Sequence, residues 1–138
     1  MKRTLAVLAA TLLTTGVALA QPFPDDSGAG TKLGIEQLNN SGQVGEVTLF
    51  RTDPSTRVLV RIDGANGRTE PVRIHRGRTC DQLDPRPAYV LSNLSAAGIS
   101  RSIVRAGEDK LLSGNYNVVV FSSNAPGARP VSCGHLYR

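Results

Sequence analysis

The chain has 138 residues, of which 40% are hydrophobic and 4% aromatic, with no tryptophan and a formal net charge of +5. This length is enough for one domain with an aliphatic core and too short for two. A mild positive charge is common on solvated surfaces and does not by itself indicate nucleic-acid binding.

The first twenty residues have the parts of an export signal. Two basic residues open the chain, an apolar run spans residues 5–13, and Ala18-Leu19-Ala20 is a site that signal peptidase accepts. We therefore predict that residues 1–20 are a signal peptide, cleaved after Ala20, which leaves 118 residues with a formal charge of +3. The apolar run is too short for a transmembrane anchor. A buried N-terminal helix is the competing interpretation. Export to the periplasm or the medium also argues against a nucleic-acid partner.

The mature chain contains two cysteines, Cys80 and Cys133. An even number of cysteines in an exported protein predicts a disulfide, while two free thiols or a metal-binding pair are the alternatives. The bond would close a loop of about 54 residues, which the chain-entropy model values at roughly 4 kcal/mol. For a small domain with few aromatic residues, that is a large share of the total stability.

After a flexible leader at residues 21–31, the domain at 32–138 consists of short apolar stretches divided by turn residues. Period-two alternation, clearest at 56–62, is typical of half-buried antiparallel strands. We predict strands at 32–38, 44–51, 56–62, 71–75, 88–91, 100–105, 116–121 and 131–136, and one helical turn at 108–112. The sequence therefore predicts an all-β domain, a sandwich or flattened barrel of about seven or eight strands.

Three segments together resemble the copper/zinc superoxide dismutase superfamily, in particular its short exported bacterial relatives. Residues 72–80 (VRIHRGRTC) are similar to the family segment in which two histidines, one residue apart, precede a glycine and the first disulfide cysteine. Residues 117–121 (NVVVF) resemble the strand that ends in a further copper-binding histidine. Residues 132–136 (SCGHL) resemble the segment with the second disulfide cysteine. The resemblance implies a Greek-key β-sandwich with Cys80 joined to Cys133.

The metal ligands of that family do not carry over to this chain. The first copper position is Arg73, the late-strand position is Phe121, and His75 alone matches a ligand position. The chain has one further histidine, His135. A tight copper or zinc site normally needs three or four protein ligands. We therefore expect no metal site, no cofactor, no catalytic residue and no superoxide dismutase activity.

The same residues suggest two sites that need no metal. Alternation places Arg73 and His75 on the outer face of their strand, where Phe121 would stack against one of them if the strands pair as in the family. The alternative is that these are ordinary surface side chains. Arg73, His75, Arg76 and Arg78 also form a dense basic segment that would suit an acidic envelope component or an acidic protein. A solvated loop is the alternative there.

We therefore expect an exported, non-enzymatic domain with a degenerate metal site and a binding or structural role in the cell envelope or the medium. Two alternatives stay open. One is a weak copper-binding protein, or a residual superoxide dismutase-like enzyme, that uses His75 with help from His135. The other is a basic adhesion module for polyanions.

Overall fold

The computed structural model describes residues 28–138. The predicted signal peptide and residues 21–27 of the predicted leader lie outside this range. The elements are β1 (Thr31–Gln37), β2 (Val44–Thr52), β3 (Ser55–Asp63), β4 (Val72–Arg76), β5 (Pro87–Val90), β6 (Ile99–Val104), α1 (Glu108–Leu111), β7 (Ser113–Phe121) and β8 (Pro130–Tyr137). The all-β prediction is confirmed, because the eight strands form one antiparallel, nearly closed barrel.

The strands follow the order β5-β4-β7-β8-β1-β2-β3-β6 across the sheet. Strand β1 joins two four-stranded halves, because it pairs with β2 from Thr31 to Ile35 and with β8 at Glu36 and Gln37. The chain crosses from one half to the other after β3, β5 and β6. Strands distant in the sequence thus become neighbours, as in Greek-key folds.

The interior of the barrel is aliphatic, as the composition predicts. Alternation along β2, β3, β4 and β7 turns every second side chain inward. The buried core includes Val47, Leu49, Val58, Val60, Ile62, Val72, Ile74, Tyr116, Val118 and Val120. The side chains that alternate with these core residues along β4 and β7 point outward. Arg73, His75, Asn117 and Phe121 therefore lie on one outer face.

The gap between the two edge strands of the nearly closed barrel is bridged by serine side chains. The edge strands are β5, which pairs with β4, and β6, which pairs with β3. Each has a second side that is not paired with another strand of the sheet. Just after β5, the backbone N–H of Ser92 donates to Oγ of Ser102 at 2.8 Å, and the Ser92 carbonyl accepts from Oγ of Ser100. Hydroxyl groups of β6 therefore hold the segment after β5 at Ser92, and the backbone N–H of Ser95 donates to the Ile99 carbonyl at 2.9 Å where β6 begins.

The predicted disulfide is present. Cys80, in the segment that follows β4, is bonded to Cys133 in β8, with their Cα atoms 6.1 Å apart. Disulfides of this kind are typical of compartments outside the cytosol. Within residues 28–138, no helix has the length and apolar character needed to cross a membrane.

Candidate functional site

The outer face of β4, β7 and β8 carries two rows of side chains. In one row His75 lies opposite Asn117, and Asn117 lies opposite His135. In the neighbouring row Arg73 lies opposite Val119, which lies opposite Cys133. Residues opposite each other in an antiparallel pair share a face, so each row runs straight across three strands.

This face is covered by the segment 77–86, which the disulfide ties to β8. The backbone N–H of Gly77 donates to the Asn115 carbonyl at 3.0 Å, and that of Asp84 donates to the Arg76 carbonyl at 2.7 Å. As a result His75 is only 4% exposed, whereas strand alternation alone suggests a surface side chain. Alternation fixes the face to which a side chain points, but it does not show which other segment covers that face.

Asn117 ties the covering segment to the sheet. Its side chain is 0% exposed, and its Nδ2 donates to the Gly77 carbonyl at 2.7 Å. Its Oδ1 lies 2.9 Å from Nδ1 of His135, so that nitrogen carries a hydrogen and donates. Both ends of the amide are therefore satisfied, which a buried amide requires. Its signal in the sequence is one amide residue within the otherwise apolar and aromatic run at 116–121.

The imidazole of His75 has one satisfied and one unsatisfied nitrogen. Nδ1 lies 2.7 Å from the Asp84 carbonyl oxygen. A carbonyl accepts and never donates, so Nδ1 carries the hydrogen, and Nε2 of the neutral ring holds a lone pair. Nε2 is buried and has no hydrogen-bond partner within residues 28–138. An unsatisfied polar atom in a buried position is unusual and suggests a missing partner.

Phe121 lies between the two outward-facing residues of β4. The guanidinium carbon of Arg73 is 5.1 Å from the centre of the Phe121 ring. The His75 ring centre is 5.6 Å from it, with the planes tilted by 54°. A guanidinium over an aromatic ring contributes roughly 0.5–2 kcal/mol. Arg73 is half-buried, and none of the ion pairs of the described residues includes it.

These three side chains form the floor of a groove of about 520 Å³. One wall is made by residues 83–85 of the segment after β4, and the other by residues 124–128 between β7 and β8. Small-molecule sites typically have volumes of about 300–1,000 Å³. The groove therefore has room for a ligand. Arg76 and Arg78 are exposed and do not line it, so the structure divides the basic segment into two parts.

Metal ligands are not gathered on this face. In the part of the chain that the structure describes, no three His, Cys, Asp or Glu side chains are placed to hold a metal ion. His75 and His135 lie on either side of β7, about 10 Å apart by strand spacing. Each uses its Nδ1 in a hydrogen bond to a different protein group.

The groove thus offers a guanidinium that donates, an imidazole nitrogen that accepts, and an aromatic ring between them. This combination suits the binding of an anion with polar substituents. Comparison with protein-family models, with curated proteins and with solved structures finds no significant match to the chain.

Proposed function

We propose that this protein is an exported, non-enzymatic binding domain and that the groove floored by Arg73, His75 and Phe121 holds an anionic ligand of the cell envelope or the medium. The observation that carries the proposal is the half-buried Arg73 guanidinium, held over Phe121 and outside the ion pairs of the described residues. A guanidinium at the floor of a groove that forms no ion pair within residues 28–138 is a strong partner for a carboxylate, sulfate or phosphate.

Export is supported by two independent features. The disulfide between Cys80 and Cys133 is of a kind that persists outside the cytosol. The first twenty residues have the charge and apolar pattern of a signal peptide ending at Ala20. Export also fits a ligand of the envelope or medium, where acidic polymers are abundant.

A degenerate metal site agrees with the resemblance to superoxide dismutases. Arg73, His75 and Phe121 are the three positions that the resemblance assigns to copper, and they meet in the groove. Arg73 keeps its charge at any physiological pH, so it repels a cation and attracts an anion at the same place. The proposal therefore excludes dismutase activity.

Column retention with matched variants tests the proposal. The mature protein should be retained on immobilised heparin and released by added salt, since ionic contacts are screened. Arg73→Gln should weaken retention strongly, and Arg105→Gln, which changes an exposed arginine outside the groove, should leave it unchanged. Retention that survives Arg73→Gln but is lost in the double variant Arg76→Gln, Arg78→Gln would favour the basic adhesion module instead.

Weak copper binding through His75 is a second candidate. Its Nδ1 donates to a backbone carbonyl and its Nε2 has no partner among residues 28–138, which is the arrangement that metal-binding histidines usually have. One imidazole beside a guanidinium can give only low affinity. Metal analysis separates this candidate from anion binding.

A further inference from the structure

We infer that the ligand of the groove is an acidic sugar, a uronic acid unit of an acidic polysaccharide, with its carboxylate on Arg73 and a ring hydroxyl on His75. This inference rests on the proposed function and names the ligand class for the same groove. Three features of the groove support a hydroxylated carboxylic acid over a simple inorganic anion.

The first feature is the acceptor on His75. Because the Asp84 carbonyl holds the hydrogen on Nδ1, the buried Nε2 needs a ligand atom that donates. Sulfate and fully ionised phosphate have only acceptors to offer, whereas every sugar hydroxyl can donate. A ligand that places a hydroxyl here supplies the hydrogen bond that Nε2 of His75 lacks among the described residues.

The second feature is the spacing of the two polar groups. Arg73 and His75 are two residues apart on one face of β4, so their Cα atoms lie about 7 Å apart along the strand. The Phe121 ring centre lies 5.1 Å from the Arg73 guanidinium carbon and 5.6 Å from the His75 ring centre, so a ligand of the size of one sugar ring that lies against Phe121 can contact both side chains. Phe121 lies between the two side chains, and Pro85 and Pro126 stand in the walls. These apolar surfaces suit the C–H groups of a sugar ring.

The third feature is the negative charge of Asp84, which also lines the groove. Its Oδ1 accepts the backbone N–H of Arg86 at 2.9 Å, and the carboxylate is exposed. A carboxylate in the wall of the groove repels a multiply charged small anion but accepts hydrogen bonds from hydroxyl groups. The groove therefore favours carboxylates that are separated by a hydroxylated sugar ring over two charges on one small ion such as sulfate.

Calorimetric titration of the mature protein with trigalacturonate tests the inference. Neutral galactobiose and inorganic sulfate serve as comparison ligands. We expect trigalacturonate to bind more tightly than either. Arg73→Gln should weaken this binding at least about tenfold, as expected for a charge-assisted hydrogen bond. His75→Asn keeps an amide N–H for the Asp84 carbonyl and removes Nε2, so it should weaken uronate binding about fivefold. Arg105→Gln is the matched control and should leave the affinity unchanged.

A second measurement uses only the wild-type protein, so its result does not depend on whether the variants fold. In a sample with ¹⁵N-labelled histidine, the Nε2 resonance of His75 should move when trigalacturonate is added and stay in place when sulfate is added. The Nδ1 resonance, which reports the bond to Asp84, should stay nearly constant with both.

The outcomes separate the inference from the proposed function. If heparin and sulfate bind through Arg73 while trigalacturonate binds no better than sulfate, the sugar assignment is wrong and anion binding stands. If galactobiose binds as well as trigalacturonate, the carboxylate has no role and the assignment is also wrong. If none of the anions binds, both proposals fail. Preferential binding of trigalacturonate that depends on Arg73 and His75 supports both.

Discussion

Replacing Asn117 by alanine should release the segment that covers the candidate site. The change removes the bond from Nδ2 to the Gly77 carbonyl and the bond from His135 to Oδ1, which span 2.7 and 2.9 Å. Each lost hydrogen bond costs about 0.5–1.5 kcal/mol, and a buried group left without a partner adds to that cost. The Asn117 side chain is fully buried, so little water can replace it. We therefore expect a loss of about 2–3 kcal/mol in the free energy of unfolding.

Urea unfolding of the oxidised mature protein, followed by far-UV circular dichroism, measures this loss. With an m value of about 2 kcal/mol/M, the midpoint should fall by roughly 1–1.5 M. Asn115→Ala is the matched control, because Asn115 is exposed and its only side-chain bond among the described residues is a long one of 3.4 Å to Oγ of Ser113. If both variants lose the same small amount, Asn117 does not hold the segment in place. Weaker binding at the groove should accompany the loss of stability, because Asp84 belongs to the released segment.

Three further predictions concern the backbone, the disulfide and metals. Gly45→Ala should destabilise the domain by several kcal/mol, since a Cβ there would lie 1.8 Å from the Arg61 carbonyl oxygen, while Gly34→Ala meets nothing within 4 Å and should be near neutral in the same urea assay. Reducing the bond between Cys80 and Cys133 should cost roughly 4 kcal/mol of unfolding free energy, and an unchanged midpoint in the presence of reductant would contradict the loop-closure estimate. The dialysed protein should contain no stoichiometric copper or zinc by metal analysis, and sub-micromolar copper affinity that disappears in His75→Asn would overturn the anion assignment.

The sequence predicts the framework of this domain because the framework depends on local patterns. Period-two alternation with Gly, Pro, Asn and Asp turns is a property of neighbouring residues, and every predicted strand is found within three residues of its predicted ends. The disulfide follows from the parity of two cysteines in a chain that the sequence predicts to be exported. Neither prediction needs knowledge of which loops lie over the sheet.

The burial of the candidate site could not be predicted in the same way. His75 and Asn117 become buried because residues 77–86 fold back over β4 and β7, a segment with no apolar periodicity of its own. The second wall of the groove, residues 124–128, belongs to another irregular connection. Placing these segments depends on single contacts such as the bond from Asn117 to Gly77, and such contacts leave no repeating signal in the sequence.

The serine closure between β5 and β6 has a consequence for solubility. Edge strands expose unpaired backbone groups that can recruit a strand from another molecule. Here Val90 on β5 and Ile103 on β6 are 73% and 74% exposed, so both edges also present an apolar side chain. The hydroxyls of Ser100 and Ser102 occupy the backbone groups of Ser92 and hold the two edges against each other. A variant that lacks both hydroxyls should therefore polymerise edge to edge at concentrations where the wild type stays monodisperse, and light scattering would detect the difference.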